Sequence, residues 1–305
     1  MTSVRRSYLE LHFAALLFGF TAILGDLISL SALTLVWWRV LLTALSLLVL
    51  IRFGRTLRGV PRKTLFSFMG VGVLVALHWI CFFGSVKLAN PSIALVCMAT
   101  TSFFTSILEP FFTRRPLNFA DIALGIVIIP GMVLIANSAE LGMMPGLWVG
   151  LAAAFLIALF ATLNKMLVGR LDELSVTFLE MSSAWLVIGI ALPFVMLSQQ
   201  APLNIWPHGL DWLWLLILSL LCTTLGYVLA LRSLRNLTAF AANLTFNLEF
   251  IYGILVAWFL LDDARELNLN FIWGALIILT SVFIHPLLKK REARRSRPLI
   301  QNKGK

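Results

Sequence analysis

The chain has 305 residues, of which 60% are hydrophobic and only 12% charged, and its mean hydropathy is +0.95. Soluble domains carry about twice that share of charged residues. A cytosolic enzyme, a disulfide-stapled secreted domain and a disordered protein are therefore excluded, and a polytopic membrane protein is expected. The net charge of +10 does not point to nucleic acid. Eight of the 24 Lys and Arg residues follow His285, and most others sit in short gaps between apolar runs. Membrane insertion distributes basic residues in that way, whereas a basic groove gathers them. Cys81, Cys97 and Cys222 all lie inside apolar runs, so packing is expected of them rather than a disulfide framework or a metal site. The first run, Tyr8 to Ile28, is too long for a signal peptide and lacks a small-residue cleavage site.

A spanning helix needs about 20 apolar residues. Ten such runs follow in order: 8–28, 33–52, 65–87, 91–113, 118–137, 146–165, 176–198, 211–231, 238–261 and 271–288. Long unbroken runs predict helices, since barrel strands would alternate. The tail 289–305 is basic, and is expected to be disordered or held at the lipid surface. With the N-terminus inside, 21 Lys and Arg residues fall on the inner side and two, Lys87 and Arg265, on the outer. The positive-inside rule then predicts that both termini are cytoplasmic. Eight tryptophans, among them Trp37, Trp38, Trp148, Trp206 and Trp212, fall at predicted outer ends, where indole rings anchor. Trp79 and Trp185 lie deeper.

The sequence repeats itself weakly. Residues 81–101 and 229–249 share a turn with a basic residue leading into a small-residue-rich helix. At an offset of 148, Ser85 meets Ser233, Lys87 meets Arg235 and Ala94 meets Ala242. AALLFGFTAIL at 14–24 resembles AAFLIALFATL at 153–163, and Gly125 meets Gly274. The chain thus divides into halves of five spans, 8–137 and 146–288. An odd number of spans per half forces opposite insertion. The expected fold is an all-α membrane protein of ten transmembrane helices in two inverted five-helix repeats. Inverted repeats are typical of transporters that alternate access around one midplane site.

The stretch FFGSVKLANPSIALV, the polar helix ending LEPFF and the glycine-containing fifth span resemble the EamA family of the drug/metabolite transporter superfamily. SLRNLTAFAANLTFNLEF and GALIILTSVFI repeat that order, and WWRVLLTALSLL with Arg39 resembles the family's second span. The resemblance implies ten helices, cytoplasmic termini, a central cavity and export of small metabolites, often amino acids. The chain departs from the family at Arg115, where an acidic residue is common, and at Phe250, where proline is common.

Ionisable and polar residues inside a span are costly, and so mark candidate sites. Glu249 lies near the middle of the ninth run, and its repeat mate Thr101 near the middle of the fourth. A midplane carboxylate could bind a substrate ammonium or carry a coupling proton; it could equally bond a neighbouring helix. Thr100, Thr101, Ser102, Thr105 and Ser106 could line a cavity or bond their own helix carbonyls. Asn243 and Asn247 lie on a different face from Glu249 and are expected to join helices. His78 could relay protons or simply be hydrogen-bonded in the core. Trp79 and its mate Tyr227 could cover a ring or a cation. Arg39 could bind a carboxylate, gate the outer mouth or snorkel outward; one alignment sets it opposite Glu180. Glu10, His12 and Glu109 lie near inner ends, where solvation or pairing with Arg114 and Arg115 is expected.

No nucleophile constellation, phosphate loop or metal-ligand pair occurs, so neither an enzyme nor a cofactor is expected. No ATP-binding domain is seen, so transport would be facilitative or ion-coupled. The expectation is a transporter exporting small metabolites, amino acids or amines foremost, with Glu249, His78, Trp79, Thr101, Tyr227 and Arg39 at its site. Its partners would be a small-molecule substrate, the lipid bilayer and, through coupling, protons. It would sit as a monomer or homodimer in the bacterial inner membrane. The alternative is a receptor or scaffold that moves nothing.

Overall fold

The computed structural model describes residues 3–51, 59–136, 141–198 and 204–249, with 251–253 and most of 269–288. The described residues form helices and short connections. α1 runs Ser3–Leu27, α2 Ala32–Leu50 and α3 Arg62–Leu88. A broken fourth unit follows, α4 Pro91–Ala99 and α5 Thr101–Thr113, and then α6, Phe119–Ala136. The second half opens with α7, Met144–Leu167, and α8, Glu173–Ser198. Next come α9, Asp211–Ile217, a π-helical stretch Leu218–Leu225, and α10, Gly226–Ser233. α11 spans Ala239–Phe246, and a last apolar helix runs Ile272–His285.

Seven of these units are long and apolar enough to cross a membrane, counting Pro91–Thr113 and Asp211–Ser233 as one each. α6 and the last helix supply two shorter apolar segments. The remaining expected run, 238–261, passes beyond residue 253 out of the described residues, as does the tail 289–305. The packing is that of a membrane protein turned outward. Val49, Phe111, Phe119, Phe194 and Leu197 are exposed. Arg39, Glu180, His78, Asn243 and many hydroxyls are buried. Lipid accepts the apolar exterior, and the protein interior must satisfy the polar groups.

Local signals explain the helix ends. Ser31, Asn90 and Thr238 accept bonds from the backbone N–H three residues on, capping α2, α4 and α11. Pro91 at the first position of α4 needs no N–H partner. The break at Thr100 lies in the hydroxyl-rich stretch, where the Thr100 hydroxyl donates to the Cys97 carbonyl at 2.7 Å. Such bonds compete with the helical ladder.

Two ends of the bundle can be told apart. Trp38, Trp206 and Trp212 cluster at one, where α2 and α9 begin. At the other, Arg232 pairs with Glu10 and Arg235 with Glu173. These are the tryptophan end and the basic end. Helix pairs between the halves come in exchanged sets. α3 packs along α7 as α10 packs along α1, and α3 meets α8 as the π-helical stretch meets α2.

Candidate functional site

One cavity of about 890 Å³, counting its open mouth, lies between the halves. Its wall includes all six residues singled out from the sequence: Arg39, His78, Trp79, Thr101, Tyr227 and Glu249. The rest is mostly apolar, with Phe18, Phe82, Met98, Ile157, Phe160 and Phe246. Ligand pockets are commonly built so, with few polar groups on an apolar wall.

The lining is organised by the repeat. At the offsets that align the first and third spans with their mates, Phe18 pairs with Ile157, Thr21 with Phe160 and Trp79 with Tyr227, and all six line the cavity. Phe82 with Ala230, Met98 with Phe246, and Thr101 with Glu249 do the same. The remaining second-half lining residues are Ala161, Asn164, Leu231, Leu234, Ala242 and Asn243. Their first-half mates, Ala22, Gly25, Phe83, Val86, Ala94 and Leu95, are all buried and off the cavity wall. These six second-half residues lie toward the basic end, and their buried mates toward the tryptophan end. Among the described residues, the cavity wall therefore reaches further toward the basic end than toward the tryptophan end.

Arg39 is 1% exposed, so it does not snorkel. Its Nε donates to Thr223 Oγ1 at 2.7 Å, and its guanidinium lies 3.9 Å from the Trp79 ring centre. Thr223 is offered by the π-helical stretch, in which it also donates to the Leu218 carbonyl five residues back. π-Bulges recur at functional sites, but no sequence signal announced this one. Arg39 and Glu249 lie within electrostatic reach of each other. Arg39 Nη1 has no hydrogen-bond partner among the described residues.

His78 is hydrogen-bonded in the core and also lines the cavity. Its Nδ1 is 2.8 Å from the Ala153 carbonyl on α7, and its ring meets Phe160 edge-on inside the cavity wall. Trp79 and Tyr227 form an edge-to-face pair with centroids 6.1 Å apart. The hydroxyl cluster divides. Thr100, Ser102, Thr105 and Ser106 donate to carbonyls of their own segment. Thr105 and Ser102 also accept from Asn243 and Asn247, joining α5 to the ninth span. Only Thr101 faces the cavity, and its hydroxyl has no partner among the described residues.

One inner-end assignment needs correction. Glu109 does not pair with Arg114 or Arg115. Its carboxylate accepts from the Ala239 and Phe240 amides at 3.1 and 2.7 Å, taking the free N–H groups that open α11. Glu10 pairs with Arg6 and Arg232. The sequence also gave no weight to Asn164, and little to Glu180. Tyr227 donates to Glu180 Oε2 at 2.5 Å, and Asn164 Nδ2 donates to the Tyr227 hydroxyl at 3.4 Å. Arg39 thus stands to Trp79 as Glu180 stands to Tyr227, which gives the weak alignment of Arg39 with Glu180 a geometric basis.

The sequence profile of the EamA-like transporter family matches the chain twice, over residues 6–137 and 144–285. The chain belongs to the EamA-like transporter family. That family lies within the drug/metabolite transporter superfamily, so the protein is an integral membrane protein of a small-molecule transporter family. Among solved structures, a crystal structure described only as that of a "protein" is similar over 93% of this chain and 98% of its own. The TM-score is 0.72 and the identity 15%, a likeness of fold. No curated protein matches the chain.

Proposed function

We propose that this EamA-family protein exports small metabolites, amino acids or amines foremost, by alternating access between two inverted five-helix repeats, 8–137 and 146–288. It does so as a secondary active or facilitative transporter with ten transmembrane helices. The observation that carries this reading is the repeat-paired cavity wall. Two halves that face opposite ways can exchange conformations, and the open mouth then moves from one end to the other. With the charge bias placing the basic end in the cytoplasm, the described state is open inward, ready to load an export substrate. Both termini would then be cytoplasmic, in a bacterial inner membrane.

Glu249 and Arg39 would orient the substrate, the carboxylate toward an ammonium and the guanidinium toward a carboxylate. Trp79 and Tyr227 would cover its apolar part. Thr101 and His78 would complete the polar contacts. A wall that is mostly apolar favours amphipathic over strongly hydrated solutes.

The test is uptake of a panel of labelled L-amino acids and polyamines into proteoliposomes, with and without a pH gradient. Glu249→Gln keeps the shape and removes the charge. A charge-assisted contact is worth about 1.5–3 kcal/mol, so transport of a cationic or zwitterionic solute should fall by about ten- to a hundredfold. Unchanged transport by folded Glu249→Gln would remove that residue from the site. No movement of any panel solute would favour the receptor reading.

A further inference from the structure

Glu180 is a buried acid that the transport reading leaves without a task. It is fully buried on α8, where α3 comes close because residue 72 is glycine. A β-carbon at Gly72 would run into the Glu180 backbone. Oε2 receives the Tyr227 hydroxyl, and Oε1 has no partner among the described residues. No ion pair among the described residues reaches it. From α2, Arg39 is turned to Thr223 and Trp79. From α3, His78 is turned to the Ala153 carbonyl. From α10 comes Tyr227, and on α8 itself Glu173 is paired with Arg235 at the basic end. A bare carboxylate so placed lacks the compensation that burial demands, whereas a neutral carboxyl needs only hydrogen bonds.

The pair also has its own access. Asn164, which donates to Tyr227, lines both the central cavity and a smaller recess at the basic end. Phe68, Gly169 and Glu173 form the recess wall, and Leu231 is shared by the two spaces. Water in the recess would reach the Asn164–Tyr227–Glu180 chain without passing the substrate mouth.

We propose that Glu180 is a proton-binding site of this transporter, loaded from the basic end through the Tyr227 hydroxyl, which Asn164 orients, and distinct from Glu249. A hydronium ion at the recess side gives its proton to the Tyr227 oxygen and leaves as water, while the original Tyr227 O–H bond breaks and its proton passes to Glu180 Oε2. An O–H bond forms on Glu180, and its negative charge is cancelled. Release reverses the step once the other end has opened. Coupling of this proton to substrate rests on the transport reading of the preceding section; the proton site itself does not.

Infrared difference spectroscopy on the full chain in liposomes, recorded across a pH titration in H2O and D2O, tests the site without a substrate. The native protein should show the carbonyl stretch of a protonated carboxyl that Glu180→Gln removes and Glu249→Gln leaves. Tyr227→Phe should shift that band by removing its hydrogen bond, a readout that does not depend on the folding of Glu180→Gln. A spectrum unchanged by Glu180→Gln, or a band indifferent to Tyr227→Phe, overturns the proposal. For any panel solute that is transported, Glu180→Gln should keep downhill exchange and lose the response to an imposed pH gradient. An equal gradient response would overturn the coupling role. If no solute moves, the infrared bands still decide whether Glu180 holds a proton.

Discussion

The two ends of the cavity are built from equivalent positions and behave as opposites. At the tryptophan end, the Phe83 ring lies where a β-carbon on Gly25 would stand. At the basic end the mates are Leu231 and Asn164, and both line the open cavity. The tryptophan end is also tied across the halves. The amide and hydroxyl of Ser29 donate to Asp211 at 2.9 and 2.5 Å, and Trp38 Nε1 donates to the Ile205 carbonyl at 2.7 Å. Thr34 donates to the Asn204 carbonyl. Each half keeps its own latch as well. Lys87 donates to the Ile28 carbonyl, and its mate Arg235 pairs with Glu173. The lesson is that a pseudo-symmetric scaffold needs only a few local differences to hold one end shut. The differences seen here are a ring seated on a glycine and a carboxylate under an exposed turn.

The strongest way to break this comparison is to exchange the plugs. Leu231→Phe with Asn164→Gly would copy the closed end onto the basic end, and substrate exchange should fall at least about tenfold, since about 1.4 kcal/mol shifts a two-state balance by that factor. Phe83→Leu with Gly25→Asn would copy the open mouth onto the tryptophan end. A cysteine placed at Met98, with Cys81, Cys97 and Cys222 replaced by serine, should then react with an impermeant thiol reagent added on that side. No gain of labelling would mean that the Phe83 plug does not hold the end closed.

Arg39 gives a smaller effect. A desolvated cation–π contact is worth about 2 kcal/mol. Arg39→Met should lower the unfolding temperature and raise labelling at position 98 from the tryptophan side. Arg39→Lys should not restore either value, because an ammonium cannot both lie flat on Trp79 and donate through a planar Nε to Thr223. Full rescue by lysine would reduce Arg39 to a point charge.

Much of this arrangement was legible in the sequence, and the reason is energetic. Glu249 and Thr101, or Trp79 and Tyr227, stand out because polar and amphipathic groups rarely occupy the middle of an apolar run without a purpose. The repeat then set them about one centre, and the cavity wall contains all of them. The rest depended on contacts that sequence does not encode locally. Thr223 reaches Arg39 through a π-helical stretch that looks like any apolar run. Glu109 lies five residues before two arginines in sequence, yet it turns to the open amides of α11. Asn164 looks like one more polar residue near a helix end, and only packing sets it on Tyr227. Which end is shut was not legible either. The mates Phe83 and Leu231 are both ordinary apolar residues, and the difference arises only when one of them finds a glycine opposite.

The smallest effect separates hydrogen bonding from ring packing at the closed end. Trp38→Phe removes the bond to the Ile205 carbonyl and keeps an aromatic ring against Trp206 and Trp212. One neutral hydrogen bond contributes about 1 kcal/mol net, so labelling at position 98 should rise by only about fivefold. Asp211→Asn, which weakens two charge-assisted bonds from Ser29, should raise it more. If Trp38→Phe exceeded Asp211→Asn, the end would be held chiefly by the indole bond. If neither moved the labelling, the cross-half bonds would be passengers, and the Phe83 ring on Gly25 would hold the closed end by itself.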